Sequence, residues 1–185
     1  MARVLVCYGS SEGQTAKIAD HIGDVLSEAS HDVVLSTAKY PPSALTSSEF
    51  AYDGVVIGAS IHKGSHQGYV EEFVREYVDG LNRVPSAFFS VSLSAAKSSP
   101  EARSESDGYL REFVAETDWE PDLTHAVAGA LKYSEYGFLT RFVMKRIAGT
   151  EGLDTDTDHD YEYTDWEDVE TFAIEFEELV STRAT

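Results

Sequence analysis

Residues 3–15 read Arg3-Val4-Leu5-Val6-Cys7-Tyr8-Gly9-Ser10-Ser11-Glu12-Gly13-Gln14-Thr15, and this stretch decides the fold. Its first half is a short apolar run rich in β-branched residues, which is typical of a strand. A helix follows from Thr15, because apolar residues recur on one face at helical spacing: Ile18, Ile22, Val25 and Leu26. The stretch therefore predicts a strand, a loop of small residues and a helix in succession.

The loop combines hydroxyl side chains with two glycines, Gly9 and Gly13. Such a turn directs backbone N–H groups, hydroxyls and the positive end of the helix dipole at one point, which suits a phosphate. It has neither the Gly-Lys-Ser/Thr of a Walker P-loop nor the GxGxxG spacing of a dinucleotide turn. Because the loop contains no lysine, it suits a phosphate bound by neutral donors, as in flavin mononucleotide (FMN). From spacing alone, an ordinary strand-to-helix turn without a ligand is the alternative.

The same residues carry a family resemblance. The pattern Val6-x-Tyr8-x-Ser10-x-x-Gly13-x-Thr15-x-x-x-Ala19-x-x-Ile22 resembles the flavodoxin signature. It departs from that signature at Cys7, where an aliphatic or aromatic residue is usual. The resemblance implies an FMN cofactor whose phosphate is wrapped by Ser10, Ser11, Glu12, Gly13, Gln14 and Thr15.

Length and composition bound the class of protein. At 185 residues and 42% apolar content, the chain is expected to form a single domain over residues 1–185 with a sizeable core. No apolar run approaches the ~20 residues of a membrane span, and the beginning of the chain does not resemble a signal peptide. The single cysteine, Cys7, excludes an internal disulfide and favours a cytoplasmic location.

The formal net charge of −19 argues against nucleic acid as the main partner, since phosphate contacts need clustered Lys and Arg. Two explanations for the acidity compete: steering of a redox partner, and adaptation to molar salt, where the Debye length is only ~3 Å. The scarcity of lysine favours the second, a halophilic origin. The acidity then says little about function.

Apolar runs alternate with helical patterns along the whole chain. Strands are predicted at 3–8, 32–36, 52–60, 86–93 and 123–130, with helices between them and a last helix opened by a capping box at Thr164-Asp165-Trp166-Glu167. This alternation predicts an α/β fold with a doubly wound, five-stranded parallel sheet and right-handed crossovers. The flavodoxin resemblance implies the strand order 2-1-3-4-5.

Three loops leave the carboxyl ends of these strands, where such sheets bind ligands. They span residues 9–15, 59–64 and 92–97. In flavodoxin-like proteins the second and third loops flank the flavin ring, which implies as further cofactor-binding residues Ser60, Ile61, His62, Lys63, Gly64, Ser92, Leu93 and Ser94. A common flavodoxin has aromatic residues in these loops, and this chain does not, so a stacking residue from elsewhere is expected: Tyr133, Tyr136 or Trp119.

Residues 136–147 predict a helix with an apolar, aromatic face, and Arg141 and Lys145 lie together on the opposite side. Such a helix suits a lipid surface, a quinone or a substrate that carries carboxylates. A helix that simply covers the edge of the sheet is the alternative. The acidic run 154–160 fails as an EF-hand, which would need Gly at His159 and Glu at Asp165, so we expect a solvated loop and no metal site.

Over essentially its whole length the chain resembles the flavodoxin-type, menaquinone-dependent protoporphyrinogen oxidases. The resemblance rests on residues 12–15, 55–61, 85–93, 129–133 and 163–167. Residues 132–163 stand where that family has its distinguishing insert, before the last helix.

The family implies oxidation of protoporphyrinogen IX to protoporphyrin IX in haem biosynthesis, with FMN passing electrons to a menaquinone-type quinone. It also implies peripheral contact with the inner face of the cell membrane. The candidate contacts to substrate or membrane are Lys132, Tyr133, Arg141, Lys145 and Arg146, and the catalytic candidates near the flavin are His62 and Lys63. The alternatives are an FMN electron carrier without a small substrate and an FMN-dependent NAD(P)H:quinone reductase.

Overall fold

The computed structural model describes residues 1–42, 45, 50–135, 144–146, 148–149 and 152–183. Five parallel strands form its main sheet: β1 (Arg3–Gly9), β2 (Asp32–Thr37), β3 (Gly54–Ser60), β4 (Ser86–Ser92) and β5 (Leu123–Ala128). Their order is β2-β1-β3-β4-β5. The predicted flavodoxin-like sheet and its strand order are confirmed.

In the described part of the chain, four long helices cover the sheet: α1 (Gln14–Glu28), α2 (Gly68–Leu81), α3 (Pro100–Thr117) and α4 (Trp166–Arg183). On one face, Ile18 and Ile22 of α1 share an apolar cluster with Phe172 of α4. On the other face, Phe73 of α2 and Phe113 of α3 belong to a second cluster. The central strands β3 and β4 are buried almost throughout because both faces are covered.

A second, two-stranded antiparallel sheet follows β5. It pairs β6 (Ala130–Leu131) with β7 (Tyr161–Glu162). The predicted fifth strand therefore ends at Ala128, and Gly129 separates it from β6. Of the helix predicted over 136–147, residues 144–146 are helical, and residues 136–143 and 147 lie outside the described residues.

The start of α4 differs from the predicted capping box. The helix begins at Trp166, and Asp165 caps it, because Asp165 Oδ1 accepts from the backbone N–H groups of Glu167 at 3.1 Å and Asp168 at 3.2 Å. Thr164 does not cap the helix. Its hydroxyl donates to the carbonyl of Ala128 at 2.7 Å and accepts from Nε2 of Gln14 at 2.9 Å. This residue therefore ties the end of β5 to the start of α1.

Among the described residues, no helix combines the length and apolar character needed to cross a bilayer.

Candidate functional site

A cleft of about 500 Å³ opens at the carboxyl ends of β1, β3 and β4. The three loops predicted from the sequence meet there, as expected for this topology. The lining residues from these loops are Ser10, Ser11, Glu12, Gln14, Thr15, Ser60, Ile61, His62, Lys63, Gly64, Ser92, Leu93 and Ser94. Val91, Gly129, Ala130 and Met144 complete the lining.

The first loop has a conformation that suits an anion. Gly13 caps α1 with φ 82°, a left-handed conformation that favours glycine, and its N–H donates to Ser10 Oγ at 2.9 Å. No acidic residue occupies the first turn of α1, so the positive end of the helix dipole is not neutralised within the helix itself. Thr15 and Gln14 are buried at the floor of the cleft. The loop therefore combines the N-terminus of a helix with hydroxyl side chains, a combination that suits a phosphate.

Gln14 supplies a second indication of a ligand. Its side chain is 5% exposed, and its Oε1 atom has no hydrogen-bond partner within the described part of the chain. A buried acceptor without a donor costs free energy, so a donor from a bound molecule would stabilise it. The hydroxyls of the FMN ribityl chain have this chemistry.

Gln67 connects the first and second loops, and sequence reasoning missed it. Its Nε2 donates to Ser60 Oγ at 2.5 Å and to Ser11 Oγ at 3.2 Å, while its Oε1 accepts from the Ser60 N–H at 3.2 Å. Gln67 directly precedes α2, and no side-chain bond of its own caps that helix. No local pattern marks such a residue, because its partners are 7 and 56 positions away.

The second loop ends in a tight turn that carries both catalytic candidates. His62 donates its N–H to the Ser65 carbonyl at 2.8 Å, and the two residues form an isolated antiparallel bridge. Lys63 and Gly64 between them have φ values of 55° and 85°, the signs required at both central positions of a type I′ turn. The side chains of His62 and Lys63 are exposed at the cleft.

The third loop and the insert provide the apolar wall. Leu93 and Met144 both line the cleft and pack in one apolar cluster with Leu131 and Tyr133. Ser92 Oγ accepts from the Ala95 N–H at 3.2 Å, and Ser94 Oγ donates to Glu105 at 2.6 Å, so both hydroxyls have partners in the protein. Met144 belongs to the predicted aromatic helix but was not predicted as a site residue.

The structure separates the candidate residues of the insert. Lys145 and Arg146 are exposed next to Met144, whereas Lys132 reaches the first loop: a Cβ atom built on Gly13 would lie 3.3 Å from Lys132 Nζ. Tyr133 is fully buried and donates its hydroxyl to the Asp154 carbonyl at 2.8 Å, so its prediction as a substrate contact or stacking residue is wrong for this arrangement. Arg141 and Tyr136 lie outside the described residues.

Trp119 is also excluded as the stacking residue. It is fully buried within the cluster beneath α2 and α3, and its Nε1 donates to Ser86 Oγ at 3.0 Å. Its burial places it in the core rather than at the cleft.

His66 lies three residues after the tip of the second loop but faces inward. Its ring contacts Phe88 and Phe113, and its Nε2 lies 2.8 Å from Ser90 Oγ. Burial lowers the pKa of His66 to about 4, because charging the ring inside an aromatic cluster requires its removal from water. The imidazole is therefore neutral at physiological pH and packs as part of the core.

Comparison with known proteins identifies the family. Residues 5–158 match the model of the flavodoxin domain. The chain is 36% identical over 178 residues to protoporphyrinogen IX dehydrogenase (quinone) of Escherichia coli K12, covering 96% of each chain. The chain belongs to this family. A relative of the same name in Leishmania major is 33% identical over 180 residues, which cover 96% of this chain and 75% of that protein.

Solved structures confirm the fold of this family member. Oxidised flavodoxin 1 from Bacillus cereus superposes with a TM-score of 0.54 at 19% identity, covering 94% of this chain and 96% of the flavodoxin. A flavodoxin from the domain Archaea gives the same TM-score of 0.54 at 17% identity, with 97% and 99% covered. At these identities the likeness concerns the fold alone.

The flavodoxin domain indicates FMN as the cofactor, and the cleft fits it on three points. The loop at the start of α1 suits the phosphate, the buried Gln14 Oε1 suits a ribityl hydroxyl, and the apolar wall of Leu93 and Met144 suits a flat ring.

Proposed function

We propose that the protein oxidises protoporphyrinogen IX to protoporphyrin IX and transfers the electrons to a menaquinone-type quinone, with FMN bound in the cleft. The conversion removes six electrons and six protons from the tetrapyrrole. Three quinones, each accepting two electrons and two protons, balance it as three quinols. The relatives' names, over nearly the full length of the chain, support this reaction class.

One structural observation carries the proposal beyond electron transfer in general: the insert forms a wall of the cleft. Met144 presents an apolar surface to the cleft, and Lys145 and Arg146 are exposed beside it. A tetrapyrrole is a broad apolar ring system with carboxylate side chains, so an apolar wall edged by two cations has the complementary chemistry.

Bound FMN would supply the two-electron acceptor that the side chains themselves lack. The chain's own contribution is to hold the reactants and manage protons. The first loop binds the phosphate end, and Gln67 keeps the first and second loops in register. The apolar wall excludes water from the ring. His62 stands at the mouth of the cleft, where its imidazole can take a proton from a substrate pyrrole or methylene carbon.

We also propose that residues 1–185 form a single flavodoxin-like domain and that residues 132–163 are its insert. The insert returns to the main body at its base, where Tyr163 N–H donates to the Gly129 carbonyl at 3.1 Å. Exposed Lys145 and Arg146 suit anionic lipid headgroups as well as substrate carboxylates, and we expect peripheral membrane contact through them.

The test is anaerobic turnover by FMN-loaded protein in molar KCl, with protoporphyrinogen IX as donor, a soluble menaquinone analogue as acceptor and porphyrin fluorescence as readout. With protein in catalytic amount, we expect fluorescence to rise beyond one porphyrin per three flavins only when protein and quinone are both present. In the Lys145→Gln/Arg146→Gln variant, kcat/KM should fall about fivefold, since exposed charge pairs contribute at most ~1 kcal/mol each.

The matched control is Lys39→Gln/Arg111→Gln, which removes the same charge without changing the segment next to Met144. This control should leave kcat/KM unchanged. FMN binding without porphyrin formation would contradict the proposal and leave an electron carrier. Rapid reduction of the flavin by NAD(P)H would instead identify an NAD(P)H:quinone reductase.

A further inference from the structure

We propose that Lys132 is a ligand of the FMN phosphate, supplied to the first loop from the base of the insert. The inference rests on the proposed use of FMN and adds a residue that the loop sequence does not contain. It assigns Lys132 to the cofactor rather than to the substrate carboxylates or lipid headgroups expected from the sequence.

The first observation is the position of the ammonium group. A Cβ atom on Gly13 would lie 3.3 Å from Lys132 Nζ, so the ammonium lies directly against the loop that caps α1. Ala130, two residues earlier in the chain, lines the same cleft. The lysine therefore approaches the anion-binding loop from the insert side.

The second observation is electrostatic. A cation beside a helix N-terminus faces the positive end of the dipole, an arrangement that is unfavourable without an anion between them. The first turn of α1 contains no acidic residue, and the loop before it carries a single carboxylate, that of Glu12. None of the ion pairs found among the described residues includes Lys132, and Glu162, the acidic residue of β7, pairs with Lys17 at 3.3 Å. A phosphate dianion in the loop would turn this repulsion into two favourable interactions.

The third observation is that the backbone of Lys132 is fixed. Leu131 before it and Tyr133 after it are both fully buried, and Leu131 pairs with Tyr161 across the two-stranded sheet. The Gly129 N–H donates to the Ser92 carbonyl at 3.0 Å and anchors the same segment to β4. A lysine held between two buried neighbours loses less freedom on binding than one on an unanchored loop.

Gln14 lines the same cleft, and its buried Oε1 accepts no hydrogen bond within the described part of the chain, so a donor from a ligand would be favourable there. The phosphate end of the cofactor would then be held by two regions that are far apart in sequence. Consequently, FMN binding and the position of the insert base should stabilise each other.

The experiment compares FMN with riboflavin, which has the same ring and ribityl chain but no phosphate. Each flavin is titrated into apoprotein and followed by quenching of flavin fluorescence, at the lowest KCl concentration at which the wild type stays folded. For Lys132→Gln we expect the Kd of FMN to rise about tenfold, as for loss of one charge-assisted hydrogen bond. The Kd of riboflavin should not change, and Lys132→Arg should restore most of the FMN affinity.

Lys39→Gln is the matched control, because it removes the same charge from a lysine that lies over the Tyr40 ring. It should leave both affinities unchanged. If Lys132→Gln weakens FMN and riboflavin equally, or weakens neither, the inference is overturned while the proposed function stands. If wild-type protein binds neither flavin, the proposed function itself fails.

A second measurement covers the case in which Lys132→Gln folds poorly. Inorganic phosphate should raise the thermal unfolding temperature of wild-type apoprotein and of Lys132→Arg at equal ionic strength. An equal effect of phosphate on the wild type and on the Lys132→Met variant would overturn the inference.

Discussion

The main sheet and the base of the insert are stabilised by different kinds of contact. In the main sheet, β3 and β4 are apolar along most of their length and covered by helices on both faces. At the base of the insert, the described residues form two strands of two residues each, β6 just before residue 132 and β7 near its end, with one small apolar cluster. Polar contacts between distant residues complete the insert base, such as Ser134 N–H donating to Asp160 at 2.8 Å.

The two regions are therefore specified by different features of the sequence. Apolar periodicity within a few residues is enough to specify the sheet, because burial is non-directional and additive. The insert depends on individual hydrogen bonds between residues that are far apart in sequence, and these bonds form only after the rest of the chain has folded. We therefore expect substitutions in the sheet to change global stability and substitutions in the insert to act locally.

The largest effect is expected for Gly58→Ala in β3. A Cβ atom there would lie 2.0 Å from Phe89 Cζ, the residue opposite in the register of β4. The buried ring cannot move without displacing the core, so the free energy of unfolding should fall by about 3 kcal/mol. Urea denaturation in molar KCl measures it.

The control for this variant is Gly108→Ala in the middle of α3, where nothing lies within 4 Å of the new methyl group. It should raise the free energy of unfolding by about 0.5–1 kcal/mol, because alanine favours the helix. Equal losses in both variants would show that close packing at Gly58 is not the cause.

The next effect concerns pH and the buried His66. Its pKa is lowered from 6.5 to about 4, so the unfolded chain binds this proton more readily than the folded one. Above pH 6.5 His66 is neutral in both the folded and the unfolded chain, and the free energy of unfolding does not depend on it. As the pH falls from 6.5 toward 4, the unfolded chain binds the proton first, and the free energy of unfolding decreases. Between pH 7 and pH 5 the free energy of unfolding should drop by about 2 kcal/mol from this group.

Substitution isolates that contribution. His66→Gln keeps a partner for Ser90 but cannot titrate, so its stability should fall less than that of wild type over this pH range. His159→Gln, in an exposed loop of the insert, should retain the full pH dependence of the wild type. Identical pH profiles for wild type and His66→Gln would contradict the assignment.

A smaller and local effect is expected for Tyr133→Phe in the insert. The variant loses the hydrogen bond from Tyr133 to the Asp154 carbonyl but keeps the buried ring. Local opening should become easier by about 1 kcal/mol, or about fivefold in the rate of limited proteolysis of the insert. The global urea midpoint should stay unchanged.

Tyr40→Phe is the control for this experiment, since Tyr40 is 73% exposed outside the insert. It should alter neither quantity. If Tyr133→Phe lowers the urea midpoint without accelerating cleavage in the insert, the two regions do not differ as described.

The smallest effect is expected for Gln67→Met, which tests the polar contact between the first and second loops at the edge of the main sheet. The variant preserves side-chain volume but removes the bonds to Ser60 and Ser11. The Kd of FMN should rise about threefold, equivalent to ~0.7 kcal/mol, because the two loops are no longer held together before binding. Glu72→Met, on the exposed side of the same helix, should leave the Kd unchanged.

Local sequence patterns were sufficient for the five strands and for the convergence of three loops on one cleft, whereas the strand order came from the flavodoxin resemblance. In each case the signal is local: an apolar run such as 54–60, or a turn such as Gly13 before a helix. Alternation of strands and helices then restricts the topology to a few choices.

The remaining site features depend on contacts that no local pattern encodes. Gln67 bonds to Ser11 across 56 positions, and Lys132 reaches Gly13 from the far side of β5. Asp165 rather than Thr164 caps α4, because Thr164 is already bonded to Ala128. Tyr133 has an aromatic ring of the kind that stacks on a flavin, but it is buried beside Leu131 and does not reach the cleft.

One measurement tests the central claim most directly: anaerobic mixing of protoporphyrinogen IX with more than a threefold molar excess of FMN-loaded protein in the absence of quinone, since each FMN would take two of the six electrons. The account predicts that the visible flavin absorbance bleaches as porphyrin fluorescence appears, and that added quinone restores the absorbance. Flavin absorbance that persists in the presence of protoporphyrinogen IX, in protein shown to bind FMN, would contradict it.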